Sequence, residues 1–122
     1  MALPKRVKSG GSYYKGYKLV VSAATGDYVL NMTESIQSVI NGITITPDTY
    51  GAGDTIKLEH LSATNATLQT IAETIYNPGS NTSIQLDFSA LEQMEVNETL
   101  RLTYTSVAGL ALNVYTILEK VR

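Results

Sequence analysis

Apolar and polar residues alternate with a period of two in segment after segment of this chain. Ile84, Leu86 and Phe88 share one phase, with Gln85 and Asp87 in the other. Leu100, Leu102 and Tyr104 alternate with Arg101 and Thr103, and Ile56 and Leu58 alternate with Lys57 and Glu59. This pattern predicts antiparallel strands with one face on a core and the other in water. Turn-forming residues divide the segments. Thr25-Gly26-Asp27 separates the runs 18–23 and 28–32, residues 47–54 form a longer loop with Gly51 and Gly53, and residues 77–81 break around Pro78-Gly79. Weaker breaks fall at residues 96–98 and at Ala108-Gly109. Asn41-Gly42, set between Val39-Ile40 and residues 43–45, is the strongest short-range hairpin signal. Eight or nine short strands are expected.

Two segments fit less simply. Residues 33–40 could form a short helix capped by Thr33, with Ile36, Val39 and Ile40 as its stripe and Gly42 as its stop. The strand reading is preferred, because the hairpin needs Val39 and Ile40 extended. Residues 89–95 have room for one helical turn. No helical segment is long enough for a βαβ unit, so the expected architecture is all-β: an antiparallel β-sandwich, with the jelly roll as a candidate arrangement.

The closing strand is expected to be the longest, and it is apolar in both phases. Leu110, Leu112, Val114 and Leu118 share one; Ala111, Tyr115 and Ile117 share the other. One phase fills the core. The second is too apolar for a freely solvated face, so Tyr115 and Ile117 are covered either by a second layer of the domain or by another subunit.

Charge adds a division that hydropathy does not show. Residues 1–18 hold five basic groups (Lys5, Arg6, Lys8, Lys15 and Lys18) and no acid, whereas the rest of the chain holds four basic and eleven acidic groups. The expected organisation is a basic arm, residues 1–18, followed by one sandwich domain, residues 19–122. Gly10-Gly11-Ser12 makes the arm pliable, and Tyr13, Tyr14 and Tyr17 stand among its lysines. A docking arm on a protein partner is the favoured reading over a merely solvated terminus. Nucleic-acid binding ranks third, since five charges on an acidic body make a weak footprint for a polyanion.

Composition closes off several chemistries. The chain has no cysteine and a single histidine, His60, which excludes disulfides, thiolate metal sites and most nucleophile–histidine designs. His60 is in phase with Ile56 and Leu58 and is expected to be a hydrogen-bonded residue at a strand end. Asp87, Glu92, Glu95 and Glu98 lie near one another in sequence, but nothing fixes a pair of them across a cleft or supplies a calcium loop. These acids, with Asp48 and Asp54, are expected on a solvated rim. Gly51-Ala52-Gly53-Asp54 lacks the later glycine and following helix of a dinucleotide fingerprint. No catalytic, cofactor or metal residue is assigned. No apolar run reaches the ~18 residues of a membrane span, and the basic N-terminus has no apolar stretch of a secretory signal behind it. Synthesis in a cytosol is expected.

A cysteine-free, threonine-rich sandwich with a basic, Gly- and Tyr-containing arm resembles the small virion proteins of tailed bacteriophages, of the head decoration (cement) and head-fibre type. The segments 53–61 and 100–105 and the closing strand 113–122 carry the likeness. The resemblance implies a non-enzymatic homo-oligomer, often a trimer, that sits on a capsid lattice and clamps neighbouring major-capsid subunits in the virion. It transfers no individual residue. On the residues themselves, Lys5, Arg6, Lys8, Tyr13, Tyr14, Lys15, Tyr17 and Lys18 are the docking candidates, and Tyr115 and Ile117 the candidate subunit interface. A carbohydrate- or receptor-binding module on the same fold is the alternative, with Tyr50 and Tyr76 near loops; the absence of tryptophan counts against a sugar platform.

Overall fold

A computed structural model describes residues 12–33, 37–64, 66–78 and 82–121. These form eight strands and no helix: β1 (Ser12–Val21), β2 (Gly26–Thr33), β3 (Ser38–Pro47), β4 (Thr55–Leu61), β5 (Thr67–Tyr76), β6 (Ile84–Met94), β7 (Thr99–Ser106) and β8 (Leu112–Val121). They pair antiparallel throughout, as two four-stranded sheets of order β1-β8-β3-β6 and β2-β7-β4-β5. The chain changes sheet at every connection except β4–β5, and β1 ends beside β8. This order is that of a jelly roll, two interlocked Greek keys closed face to face.

The alternation read from the sequence sets the inward face of each strand. Ile56 and Leu58 of β4, and Leu100, Leu102 and Tyr104 of β7, are buried from one sheet; Leu19, Val21, Ile43, Ile45, Val114 and Leu118 meet them from the other. Each fully buried aliphatic side chain stabilises by about 1.5–3 kcal/mol. In β8 the inward phase is Leu112, Val114, Thr116 and Leu118, while Leu110 precedes the strand and is exposed. At eleven residues β6 is longer than β8, which has ten.

Three expectations about where the chain turns, coils into a helix or enters the sandwich need revision. Asn41-Gly42 is not a hairpin turn but an interior point of β3, where the register against both β6 and β8 shifts. A type I′ turn requires positive φ at both central residues, and neither of these has it. Asn41 is instead an extra residue opposite β8, and its amide donates to Glu119 Oε2 at 3.2 Å. Val39 and Ile40 are extended, as the strand reading required; the middle of the proposed helix, residues 34–36, lies outside the described residues. Residues 89–94, with room for a helical turn, belong to β6.

The third concerns the arm. Residues 12–18 are the first seven of β1, paired with β8 in unbroken register from Ser12↔Val121 to Val21↔Leu112. The cause is the alternation itself, because Tyr17, Leu19 and Val21 continue an inward phase that charge alone conceals. The sandwich therefore includes Ser12, and Lys5, Arg6 and Lys8 lie outside the described residues.

A buried polar network fixes the loops at one end of the sandwich. Asp54 is 0% exposed. Its Oδ2 accepts from the Tyr104 hydroxyl at 2.6 Å, and its Oδ1 accepts from the backbone N–H groups of Val107 (2.7 Å) and Ala108 (3.0 Å). Asn77 Nδ2 donates to the Tyr104 hydroxyl and to the Thr49 carbonyl. The β3–β4, β5–β6 and β7–β8 connections are thereby joined through one carboxylate. Gly51 has to be glycine here, since a Cβ would overlap that carboxylate. The solvated-rim expectation for Asp54 is thus wrong; its partners come from β7 and the connection after it, fifty or more residues further along the chain.

Candidate interaction face on the β1–β8 sheet

Directly paired residues of an antiparallel sheet point to the same side. On the outer face, Tyr14 stands beside Glu119, Gly16 beside Ile117, Lys18 beside Tyr115, and Val20 beside Asn113. The next strand adds Thr44 beside Ile117 and Thr46 beside Tyr115. Tyr14 is 68% exposed, Val20 61%, Ile117 45% and Tyr115 44%. Gly16 leaves the flank of Ile117 uncovered by any side chain from β1. On the other side of Ile117, toward β3, a shallow depression of about 110 Å³ lies between Tyr14, Thr44, Gln85, Ile117 and Glu119. Among the described residues no second layer covers this face, and Tyr115 and Ile117 are exposed on it.

The structure thus brings together two groups of candidates that lie about a hundred residues apart in sequence. Tyr14 and Lys18 share a face with Tyr115 and Ile117. Tyr13, Lys15 and Tyr17 occupy the opposite phase of β1: Tyr17 packs against the core, and the Lys15 ammonium stands 5.4 Å from its ring centroid. β1 is also an edge strand, and the lysines along it oppose indiscriminate strand addition.

The remaining candidates are structural. His60 is buried, with Nε2 2.8 Å from Glu98 Oε1, and Glu98 also accepts the Glu95 backbone N–H at 2.9 Å. These contacts tie the end of β4 to the β6–β7 turn, as the hydrogen-bonded reading of His60 expected. Glu95 takes the Gln37 amide on the surface. Asp48 accepts the backbone N–H of Asn113 at 2.9 Å. The side chains of Asp87 and Glu92 lie outside the described residues. Among those that are described, no three His, Cys, Asp or Glu side chains are grouped to hold a metal ion.

Several carboxylates sit below their ordinary range. Burial pushes Asp54 up, but hydrogen bonds from Tyr104, Val107 and Ala108 outweigh it. Burial likewise raises Glu59, and the Arg101 guanidinium and Lys57 ammonium outweigh it. Glu98 is lowered by the Glu95 N–H and then by His60. A native pKa below the unfolded one gives stability that is complete above the unfolded value and is lost as pH falls through the native one. The thermal midpoint should therefore be level from neutral pH to about pH 5 and drop steeply below about pH 4. Calorimetry across that range checks it, and a level midpoint down to about pH 2 contradicts it.

No protein-family model and no curated protein matches the sequence. Solved structures do match. A chain of the cyanophage Pam1 capsid asymmetric unit superposes with a TM-score of 0.58 at 18% identity, covering 99% of this chain and 91% of that one. The fold is shared with a capsid chain. A tomato aspermy virus structure matches at a TM-score of 0.48 and 12% identity, covering 98% of this chain and 82% of that one.

Proposed function

We propose that this chain is a non-enzymatic structural component of a virus particle, a decoration or cement protein that docks on the major capsid protein and stabilises the shell. The observation that carries the reading is the end-to-end correspondence with a chain of the Pam1 capsid asymmetric unit, which is only slightly longer than this one. The exposed apolar face of Tyr14, Tyr115 and Ile117 supports self-association into a closed homo-oligomer, with a trimer favoured. The basic residues Lys5, Arg6 and Lys8 support docking on an acidic surface of the shell protein. Several arms on one oligomer multiply modest contacts through effective concentration.

Truncation separates the two roles. A chain beginning at Ser12 keeps all of β1 and is expected to fold and self-associate but to lose co-sedimentation with shells that lack the protein. One beginning at Leu19 loses seven residues of β1, uncovers β8 and is expected to be unstable and prone to aggregate. Undiminished co-sedimentation of the chain that begins at Ser12 would show that the basic segment is not the docking element.

A further inference from the structure

The opposite sheet carries a different kind of surface. Its outer face holds a groove of about 530 Å³, whose floor is built from three cross-strand rows. Asp27, Thr105 and Thr55 form the first row, and Tyr76 of β5 extends it, largely exposed beside Thr55. Val29, Thr103 and Lys57 form the second; Arg101 and Glu59 occupy the third.

The ends of the groove differ in charge. Glu59 is buried, and its carboxylate accepts from Arg101 Nε and Nη2 at 3.2 and 2.9 Å and faces the Lys57 ammonium at 3.4 Å. Among the described side chains, one carboxylate between two cations leaves this end positive. Lys57 is the more loosely held of the two and is 43% exposed. At the other end Asp27 accepts the Thr105 hydroxyl at 2.7 Å and keeps further acceptor capacity. Between the ends lie threonine hydroxyls, which both donate and accept, and the largely exposed Tyr76 stands at the margin beside Thr55.

The geometry points to a binding site for a short acidic sugar chain. A sugar carboxylate would accept from Lys57 and the outer edge of Arg101. Sugar hydroxyls would exchange hydrogen bonds with Thr55, Thr103 and Asp27, and a C–H face would rest on Tyr76. The groove opens on the sheet opposite the Tyr14–Ile117 face, so this inference does not rest on the docking reading. A particle-bound oligomer would still present it.

Amide shift mapping with ¹⁵N-labelled full-length protein tests the assignment, with trigalacturonate and 3′-sialyllactose at millimolar concentration as probes. The methyl ester of trigalacturonate and lactose serve as the matched neutral probes. At least one acidic probe is expected to shift Val29, Thr55, Lys57 and Thr103 and to leave the β1–β8 face unchanged. Lys57→Gln should weaken that binding by at least about tenfold, with the rest of the spectrum intact; Tyr76→Ala should weaken it as well. The assignment is overturned by no shifts with either acid, by equal binding of the neutral probes, by shifts confined to another surface, or by an unchanged affinity in Lys57→Gln.

Discussion

Asp54→Ala is expected to lower the thermal midpoint by about 10–15 °C, corresponding to about 3–4 kcal/mol for a domain of this size. Three hydrogen bonds end on this buried carboxylate, and bonds to a charged group contribute about 1.5–3 kcal/mol each. The loss is less than their sum, because Val107 and Ala108 are exposed and their N–H groups can turn to water. The Tyr104 hydroxyl cannot, since the residue is fully buried and keeps only the Asn77 amide. Tyr104→Phe should therefore destabilise as well, and the double variant should lose clearly less than the two single losses added, because both remove the same bond. Additive losses would show that the carboxylate and the phenol do not act as one unit. Burial and Asp54 both push the Tyr104 phenol above its ordinary pKa, so it remains the donor across the usable pH range.

Ile117→Lys is expected to leave the fold intact and to prevent the proposed self-association. The side chain is nearly half exposed at the centre of the outer face, so a lysine there meets water in the isolated subunit and disturbs no core contact. Against a second subunit the same ammonium would be buried on an apolar surface flanked by Tyr14 and Tyr115. Central interface positions of this kind contribute about 2 kcal/mol or more, which is roughly thirtyfold in the dissociation constant of each contact. Light scattering should give a closed oligomer for the parent chain at both low and high salt, because apolar contacts are not screened. The variant should run as a monomer of about unchanged thermal midpoint once the contribution of assembly is removed by dilution. A parent chain that is monomeric in both buffers, or a variant of unaltered mass, would place subunit contact elsewhere.

Alternation made β4, β7 and β8 legible in the sequence, because each has one face in the core and one outside it. The count of eight strands among the described residues followed from the same pattern, whereas the helical options at residues 33–40 and 89–95 were left open by it. Pairing partners were not legible: β1 meets β8 across almost the whole chain, and local charge concealed the inward phase of Tyr17, Leu19 and Val21. Asn41-Gly42 has the composition of a turn but sits in a bulge, where contacts with two neighbouring strands outweigh local preference. Within the candidate face, the apolar second phase of β8 announced Tyr115 and Ile117. That Tyr14 and Lys18 lie beside them depends on the β1–β8 register. Asp54 and the Glu59–Arg101 pair were misjudged as ordinary solvated charges for the same reason, their partners being forty or more residues away.

The claim that this chain is a shell component is tested most directly by quantitative mass spectrometry of its virus's particles, purified through a density gradient and a high-salt wash. The account predicts that the chain is present at a fixed whole-number ratio to the major capsid protein and that particles without it rupture at lower temperature. Absence from the particles, or a trace amount that varies between preparations, would contradict it.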